Sequence, residues 1–214
     1  MIGSLGIEMM GLVSNEYLTD PNIEQRINEI FKAYPEIRYF QIGNEITTID
    51  GGYMSAEQYA AVLNRIYYYV QSRWPEKILL TYAFLGSGER GPRELETVSN
   101  LALRFMDPNK VLITINCYDP HHINGEYLGV INGPLKRYRI WVTETGINNI
   151  DLHISYVSNN YQKIRDYLRA ERIYWYVLWE GDSDPGTGFS LIKNPESYPN
   201  YWKDPLFKLL TRSE

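Results

Sequence analysis

Short apolar runs alternate with amphipathic segments along most of the chain. Runs that are rich in β-branched and aromatic residues and closed by turn-forming residues are typical of buried strands. Between them, apolar positions recur at helical spacing, most clearly at Ile23, Ile27, Ile30 and Phe31. This alternation predicts parallel strands with helices outside them, in one α/β domain over residues 1–214.

Six strands and their helices are predicted in this way. Asp20 and Pro21 predict the start of the first helix, as its N-cap and first residue. Ser55 and Gln58 match a capping box and predict a second helix to about Arg73. The strands are predicted over 4–14, the run ending at Glu45, 77–83, 111–117, the run ending at Glu144 and 172–179. The other predicted helices lie around 95–105, in a short segment before 137, and over 153–170 and 205–211, with polar loops over 46–54, 85–92 and 181–188.

Two of the predicted strands end in a glutamate. Residues 38–45 read RYFQIGNE and residues 139–146 read RIWVTETG. In a parallel α/β barrel the active site lies at the carboxyl ends of the strands, and two carboxylates across a pocket are the minimum for cleaving a glycosidic bond. A helix N-cap or a surface ion pair would explain either Glu45 or Glu144 alone equally well. Their shared context favours a joint catalytic role.

These two motifs resemble those of a known group of enzymes. The stretches QIGNE at 41–45 and VTETG at 142–146 are similar to the fourth-strand and seventh-strand motifs of clan A glycoside hydrolases, which are retaining enzymes on a TIM (β/α)8 barrel. The resemblance implies that Glu45 is the acid/base and Glu144 the nucleophile. It implies that Asn44 hydrogen-bonds the sugar 2-hydroxyl.

The same resemblance assigns aromatic residues to the site. Tyr118 matches the position of a residue that contacts the nucleophile, and Trp179 matches a platform under the −1 sugar. The stretch around Glu45 is similar to those of endo-β-1,4-galactanases and also to those of β-glucanase and β-mannanase types. It therefore does not identify which sugar is the substrate. The implied function is retaining hydrolysis of β-linked oligo- or polysaccharides by double displacement.

The barrel expected from the sequence is incomplete. A (β/α)8 barrel usually takes about 250 residues, whereas this chain has 214 residues and six predicted units. Three explanations are open: an N-terminal segment is missing, the barrel is completed by self-association or another chain, or it is naturally reduced and open. The fold class expected is therefore an incomplete or N-terminally truncated TIM-type barrel.

Composition and charge narrow the other possibilities. The net charge of −5 argues against a nucleic-acid surface, and no apolar run reaches the length of a membrane span. Cys117 is the single cysteine, so no intramolecular disulfide is possible. The first basic residue is Arg26, so the charged start of a secretory signal is absent. Export is expected if an N-terminal segment is missing, and a cytoplasmic location otherwise.

Double displacement needs neither a metal nor a cofactor, and none is expected here. His121 and His122 are adjacent on a loop and lack the spacing of a metal-ligand motif, so His121 is expected to contact substrate instead. Two alternatives remain: a non-catalytic carbohydrate-binding protein on a degenerate barrel, and an unrelated α/β-barrel enzyme or structural domain.

Overall fold

Six parallel strands form one sheet whose strand order follows the sequence. The computed structural model describes residues 8–47, 54–86, 90–123, 125–176 and 189. The sheet curls into a half-barrel with helices alternating along it, which confirms the predicted incomplete barrel of six β/α units. Its strands are β1 (Met10–Val13), β2 (Tyr39–Ile42), β3 (Ile78–Leu85), β4 (Val111–Asn116), β5 (Ile140–Thr145) and β6 (Ala170–Trp175).

The helices follow the strands as the sequence predicts, and one start signal is confirmed in detail. The Ser55 hydroxyl accepts from the Gln58 amide at 3.3 Å, and the Gln58 side chain accepts from the Ser55 amide at 2.8 Å. The capping box therefore satisfies amide groups that the helix itself leaves unpaired. The helices are α1 (Ile23–Ala33), α2 (Ala56–Arg73), α3 (Arg90–Leu101), α4 (Gly125–Asn132) and α5 (His153–Leu168).

Two predicted helix starts are wrong. Asp20 accepts a hydrogen bond from the Asn22 amide at 2.8 Å and closes a turn, so α1 begins only at Ile23. Helix α3 begins at Arg90, inside the predicted loop. Pro92 is tolerated there because the first turn of a helix has no intrahelical use for its missing N–H.

Other elements differ from the prediction at their ends. A 3₁₀ helix at Asn15–Thr19, which the sequence pattern did not predict, follows β1. Strand β6 ends at Trp175, short of the predicted residue 179. Trp179, the predicted loop over 181–188 and the predicted helix over 205–211 lie outside the described residues.

The sheet is covered on both faces. Phe31 of α1 packs on Phe40 of β2 with ring centroids 4.4 Å apart, within the layer between helices and sheet. On the other face, Tyr39, Leu80 and Trp141 belong to a separate apolar cluster inside the curled sheet. Alternate residues of a strand point to opposite faces, and both faces are covered, so the central strands are buried over most of their length, as parallel strands usually are.

An arginine of β6 reaches across the interior toward the residues before β1. The Arg172 guanidinium of β6 lies 4.4 Å from the Trp141 ring centroid and pairs with the Glu8 carboxylate at 2.5 Å. Glu8 directly precedes the segment that leads into β1. This ion pair spans the interior between β6 and the residues before β1, whereas Leu12 of β1 is 56% exposed. In the described part of the chain, no helix is long and apolar enough to cross a membrane.

Candidate active site

The turn after β2 carries Glu45 in an unusual backbone conformation. Gly43 and Glu45 both have positive φ, at 83° and 43°. A glycine fits this turn because a Cβ at position 43 would lie 2.8 Å from a Leu18 methyl carbon. For glutamate, positive φ is a strained state that persists only where surrounding contacts hold it. The strain therefore marks Glu45 as a position fixed by its neighbours.

Asn15 provides part of that hold. Its side-chain oxygen accepts from the Asn44 amide and its side-chain nitrogen donates to the Asn44 carbonyl, both at 2.7 Å. This pair of bonds fastens the residue just before Glu45 to the 3₁₀ helix after β1. Asn15 follows the end of β1 by two residues, so it lies at one of the strand ends where the sequence predicts the site.

The Asn44 side chain links this turn to β5. Its Nδ2 donates to Glu144 Oε1 at 3.2 Å, and its Oδ1 accepts from Gln41 Nε2 at 3.1 Å. Because Gln41 supplies a donor, the Asn44 oxygen is turned toward Gln41 and the amide nitrogen toward Glu144. Asn44 is thus hydrogen-bonded directly to the carboxylate of Glu144.

Asn116 at the end of β4 completes the link to Glu45. Its Nδ2 donates to Glu45 Oε1 at 2.7 Å, and its Oδ1 accepts from the Thr143 hydroxyl at 3.0 Å. Asn116 is 1% exposed, so its orientation is fixed by these partners. Sequence reasoning missed it because it lies inside an apolar run. Its alternation with Ile113 and Ile115 would have placed it on the barrel-interior face.

Tyr118 holds the other oxygen of Glu144. Its hydroxyl donates to Glu144 Oε2 at 2.6 Å, the contact that the family resemblance implies for this position. The Tyr118 carbonyl in turn accepts from the Tyr156 hydroxyl of α5 at 2.7 Å. Burial and the bond to Glu144 raise the pKa of Tyr118, so its phenol keeps the proton that it donates.

The environment of Glu144 shifts the pKa of its carboxyl group in opposing directions. Burial raises the pKa of Glu144 above its usual value, and the charge of Glu45 adds to this rise. The hydrogen bonds from Tyr118, Asn44 and Asn116 act in the opposite direction. Glu144 is therefore a half-buried carboxylate whose ionised form depends on these three donors.

Two further aromatic side chains pack against Tyr118, which itself bonds to Glu144. The Tyr118 ring lies 6.0 Å from that of Tyr176 and 5.6 Å from that of Phe189, both edge to face. Tyr176 directly follows β6 and is 46% exposed. An exposed ring beside Tyr118 offers a surface on which a sugar can stack. Sequence reasoning missed both Tyr176 and Phe189.

His121 is placed apart from the hydrogen-bonded cluster. It is exposed on a 3₁₀ helix at Pro120–His122, and its described hydrogen bond is from its backbone amide to Asp119 Oδ1 at 2.9 Å. Its predicted contact with substrate stays a prediction, as does that of Trp179.

No cluster of three or more His, Cys, Asp or Glu side chains within the described ranges is arranged to hold a metal ion. Residues 86–91, which run from the end of β3 into the first turn of α3, have the spacing G-x-G-x-x-G, a spacing found in nucleotide-binding loops. Packing accounts for two of these glycines, since a Cβ would lie 2.7 Å from the Asn116 carbonyl oxygen at Gly86 and 2.1 Å from that of Leu85 at Gly91.

Comparisons by sequence and by structure give different results. No protein-family model matches the chain, and no curated protein resembles it significantly in sequence. A curdlan-specific exo-β-1,3-glucanase from Blastomyces gilchristii is similar in structure, with a TM-score of 0.58 at 14% identity over 80% of this chain and 74% of that one.

Two further solved structures are similar over comparable lengths. A psychrophilic family 10 endo-β-1,4-xylanase has a TM-score of 0.54 at 14% identity, over 88% of this chain and 75% of that one. An endo-1,4-β-mannanase from Rhizomucor miehei has a TM-score of 0.56 at 12% identity, over 82% of this chain and 64% of that one. The chain therefore has the fold of the clan A glycoside hydrolases, in the form of an incomplete barrel.

Proposed function

We propose that the protein is a retaining glycoside hydrolase that cleaves β-linked sugars, with Glu45 as acid/base and Glu144 as nucleophile. One observation carries this proposal. The side chains of Asn44 and Asn116 connect the carboxylates at the ends of β2 and β5 into one hydrogen-bonded cluster. A pair of carboxylates on one strand-end rim is the equipment that retaining hydrolysis requires.

The reaction would proceed in two displacements. In the first, a carboxylate oxygen of Glu144 bonds to the anomeric carbon while the bond to the leaving oxygen breaks. Glu45 gives its proton to that oxygen, so the leaving group departs as an alcohol. In the second, Glu45 takes a proton from water, the water oxygen bonds to the anomeric carbon, and Glu144 is released as a carboxylate. The product keeps the β configuration.

The neighbours of the pair have distinct parts in this scheme. Tyr118 donates to Glu144 Oε2 and stabilises the ionised nucleophile before attack. The Asn44 amide, which bonds to Glu144 Oε1 in the structure, would donate to the sugar 2-hydroxyl when substrate binds. We further propose that the exposed ring of Tyr176 contacts the sugar, together with the sequence-predicted residues His121 and Trp179.

A direct test compares hydrolysis of aryl β-glycosides and β-glycans by the wild type and two charge-removing variants. Glu144→Gln removes the nucleophile and should abolish turnover, whereas Glu126→Gln removes an exposed carboxylate on α4 and should leave it unchanged. Glu45→Gln should lower kcat/KM by about 10²–10⁴-fold, the usual contribution of general acid–base catalysis. Undiminished activity in Glu144→Gln would refute the proposal.

A second candidate is a sugar-binding protein without turnover. The exposure of Leu12 on the edge strand β1 favours it, because an incomplete barrel can keep a sugar-binding cleft without the enclosure that strengthens catalytic electrostatics. The same edge strand would accept a further strand from another segment or another copy. Saturable binding of a β-glycan, with no hydrolysis at high protein concentration, would select this candidate over the first.

A further inference from the structure

A buried carboxylate outside the catalytic pair lies beside the turn that carries Glu45. Glu94 of α3 is buried, and its Oε2 accepts from the Thr47 hydroxyl at 2.7 Å and from the Tyr82 hydroxyl at 3.1 Å. Its Oε1 accepts from Arg90 Nε at 2.5 Å. A carboxylate is rarely buried unless it is paired and hydrogen-bonded, so the site is built around this charge.

The bond to Thr47 connects Glu94 to the strained turn. Thr47 is only two residues beyond Glu45, and it is buried together with Ile46 between them. On the other side of Glu45, Asn44 is fastened by the two bonds from Asn15. The left-handed conformation of Glu45 is thus anchored at both ends, by an amide before it and a carboxylate after it.

The partners of Glu94 give it a fixed orientation. Tyr82 is fully buried on β3. Burial and the nearby charge of Glu94 raise the pKa of Tyr82, so its hydroxyl remains a neutral donor. Arg90 balances the charge from the preceding turn of α3. Three donors on one carboxylate leave little freedom for its oxygens, which makes Glu94 a rigid support for Thr47.

We propose that Glu94 is a positioning residue for Glu45: by holding Thr47 it keeps the strained turn in place and the acid/base carboxyl aligned with the leaving oxygen. This inference rests on the proposed retaining mechanism. Glu94 does not touch the reacting atoms. It acts through Thr47, and its removal should weaken proton donation more than nucleophilic attack.

Leaving-group dependence separates these two effects. The 2,4-dinitrophenolate of an aryl β-glycoside leaves with little protonation. A phenyl or alkyl leaving group on the same sugar needs proton donation from the acid, Glu45. The parameter kcat/KM covers the steps up to and including the first displacement. It is therefore measured on both substrates, and the ratio of the two values is compared between variants. Thr47→Val should lower kcat/KM by about tenfold or more on the poor leaving group, a part of the usual 10²–10⁴-fold acid contribution. On the activated substrate it should change less than about twofold.

Matched variants exclude a general loss of structure. Thr47→Ser keeps the hydroxyl and should restore the wild-type ratio, and Glu94→Leu should reproduce the ratio of Thr47→Val. Thr81→Val removes another buried threonine hydroxyl, which bonds to Thr114 on the neighbouring strand. It should affect both substrates equally, whatever its cost in stability.

The outcomes are distinct. Equal losses on both substrates in Thr47→Val, or no loss, would overturn the positioning role while leaving the glycosidase assignment intact. A wild-type chain that hydrolyses neither substrate would overturn the proposed function itself, and the positioning role with it.

Discussion

Replacing Tyr118 by phenylalanine removes the hydroxyl that donates to Glu144 Oε2 at 2.6 Å. This bond is one of the contacts that lower the pKa of Glu144 against the effect of burial. Since Glu144 must be ionised to attack, activity falls as pH drops through its pKa. Loss of the bond raises that pKa, so the acid limb of the pH–rate profile should move to higher pH.

The size of the effect follows from the type of bond. A hydrogen bond to a charged group contributes about 1.5–3 kcal/mol, which corresponds to about 10- to 150-fold in kcat/KM at 1.36 kcal/mol per tenfold. Tyr118 and Glu144 are both half-buried, so water replaces the lost donor only in part. A value near the lower end is expected at neutral pH, with a larger loss on the acid side.

The assay is kcat/KM against pH on the aryl β-glycoside that the wild type cleaves best. Tyr138→Phe serves as the control, because it also removes a buried tyrosine hydroxyl. That hydroxyl donates to the carbonyl of Met106, which precedes the amino end of β4, and not to Glu144. That variant should lose stability and keep the wild-type profile. An unchanged acid limb in Tyr118→Phe, or one moved to lower pH, would refute the assigned direction.

Three further predictions concern residues of the same rim, the first with a control on helix α4. Gly43→Ala should lower the free energy of unfolding by about 2–4 kcal/mol, from positive φ and overpacking, whereas Gly129→Ala, with open space on α4, should stabilise by about 0.5–1 kcal/mol. Urea denaturation checks both. Glu144→Gln should raise the free energy of unfolding at neutral pH, because the pKa of Glu144 in the folded protein is raised above its unfolded value of 4.5. This gain should shrink as the pH falls through the folded pKa toward 4.5. A gain that grew as the pH fell would contradict the argument from burial. Asn116→Ala should lower kcat/KM by about tenfold by freeing Glu45, and unchanged kinetics would show that Glu45 does not need this bond.

Sequence reasoning succeeded where a local pattern decides the structure. The alternation of strands and helices, and the position of Glu45 and Glu144 at strand ends, follow from apolar runs that parallel strands impose. The capping box at Ser55 is equally local, and the structure forms it as expected. These features need no knowledge of distant contacts.

The errors arose where contacts distant in sequence decide. Asn116 and Glu94 acquire their roles from partners on other elements, so neither was selected from its neighbours in sequence. Pro92 suggests a loop by its identity, yet α3 tolerates it in its first turn. Strand β6 ends at Trp175, whereas the apolar run that predicts it continues to Trp179, beyond the described residues.

The most direct test of the account is to trap the covalent intermediate that double displacement requires. A 2-deoxy-2-fluoro-β-glycosyl fluoride of the sugar that the wild type cleaves slows the second step, and mass spectrometry of the digested protein locates the label. The account predicts one sugar per chain, on the peptide that contains Glu144, and release of the label on addition of an acceptor. A label on another carboxylate, or none in a preparation that turns over substrate, would contradict Glu144 as the nucleophile.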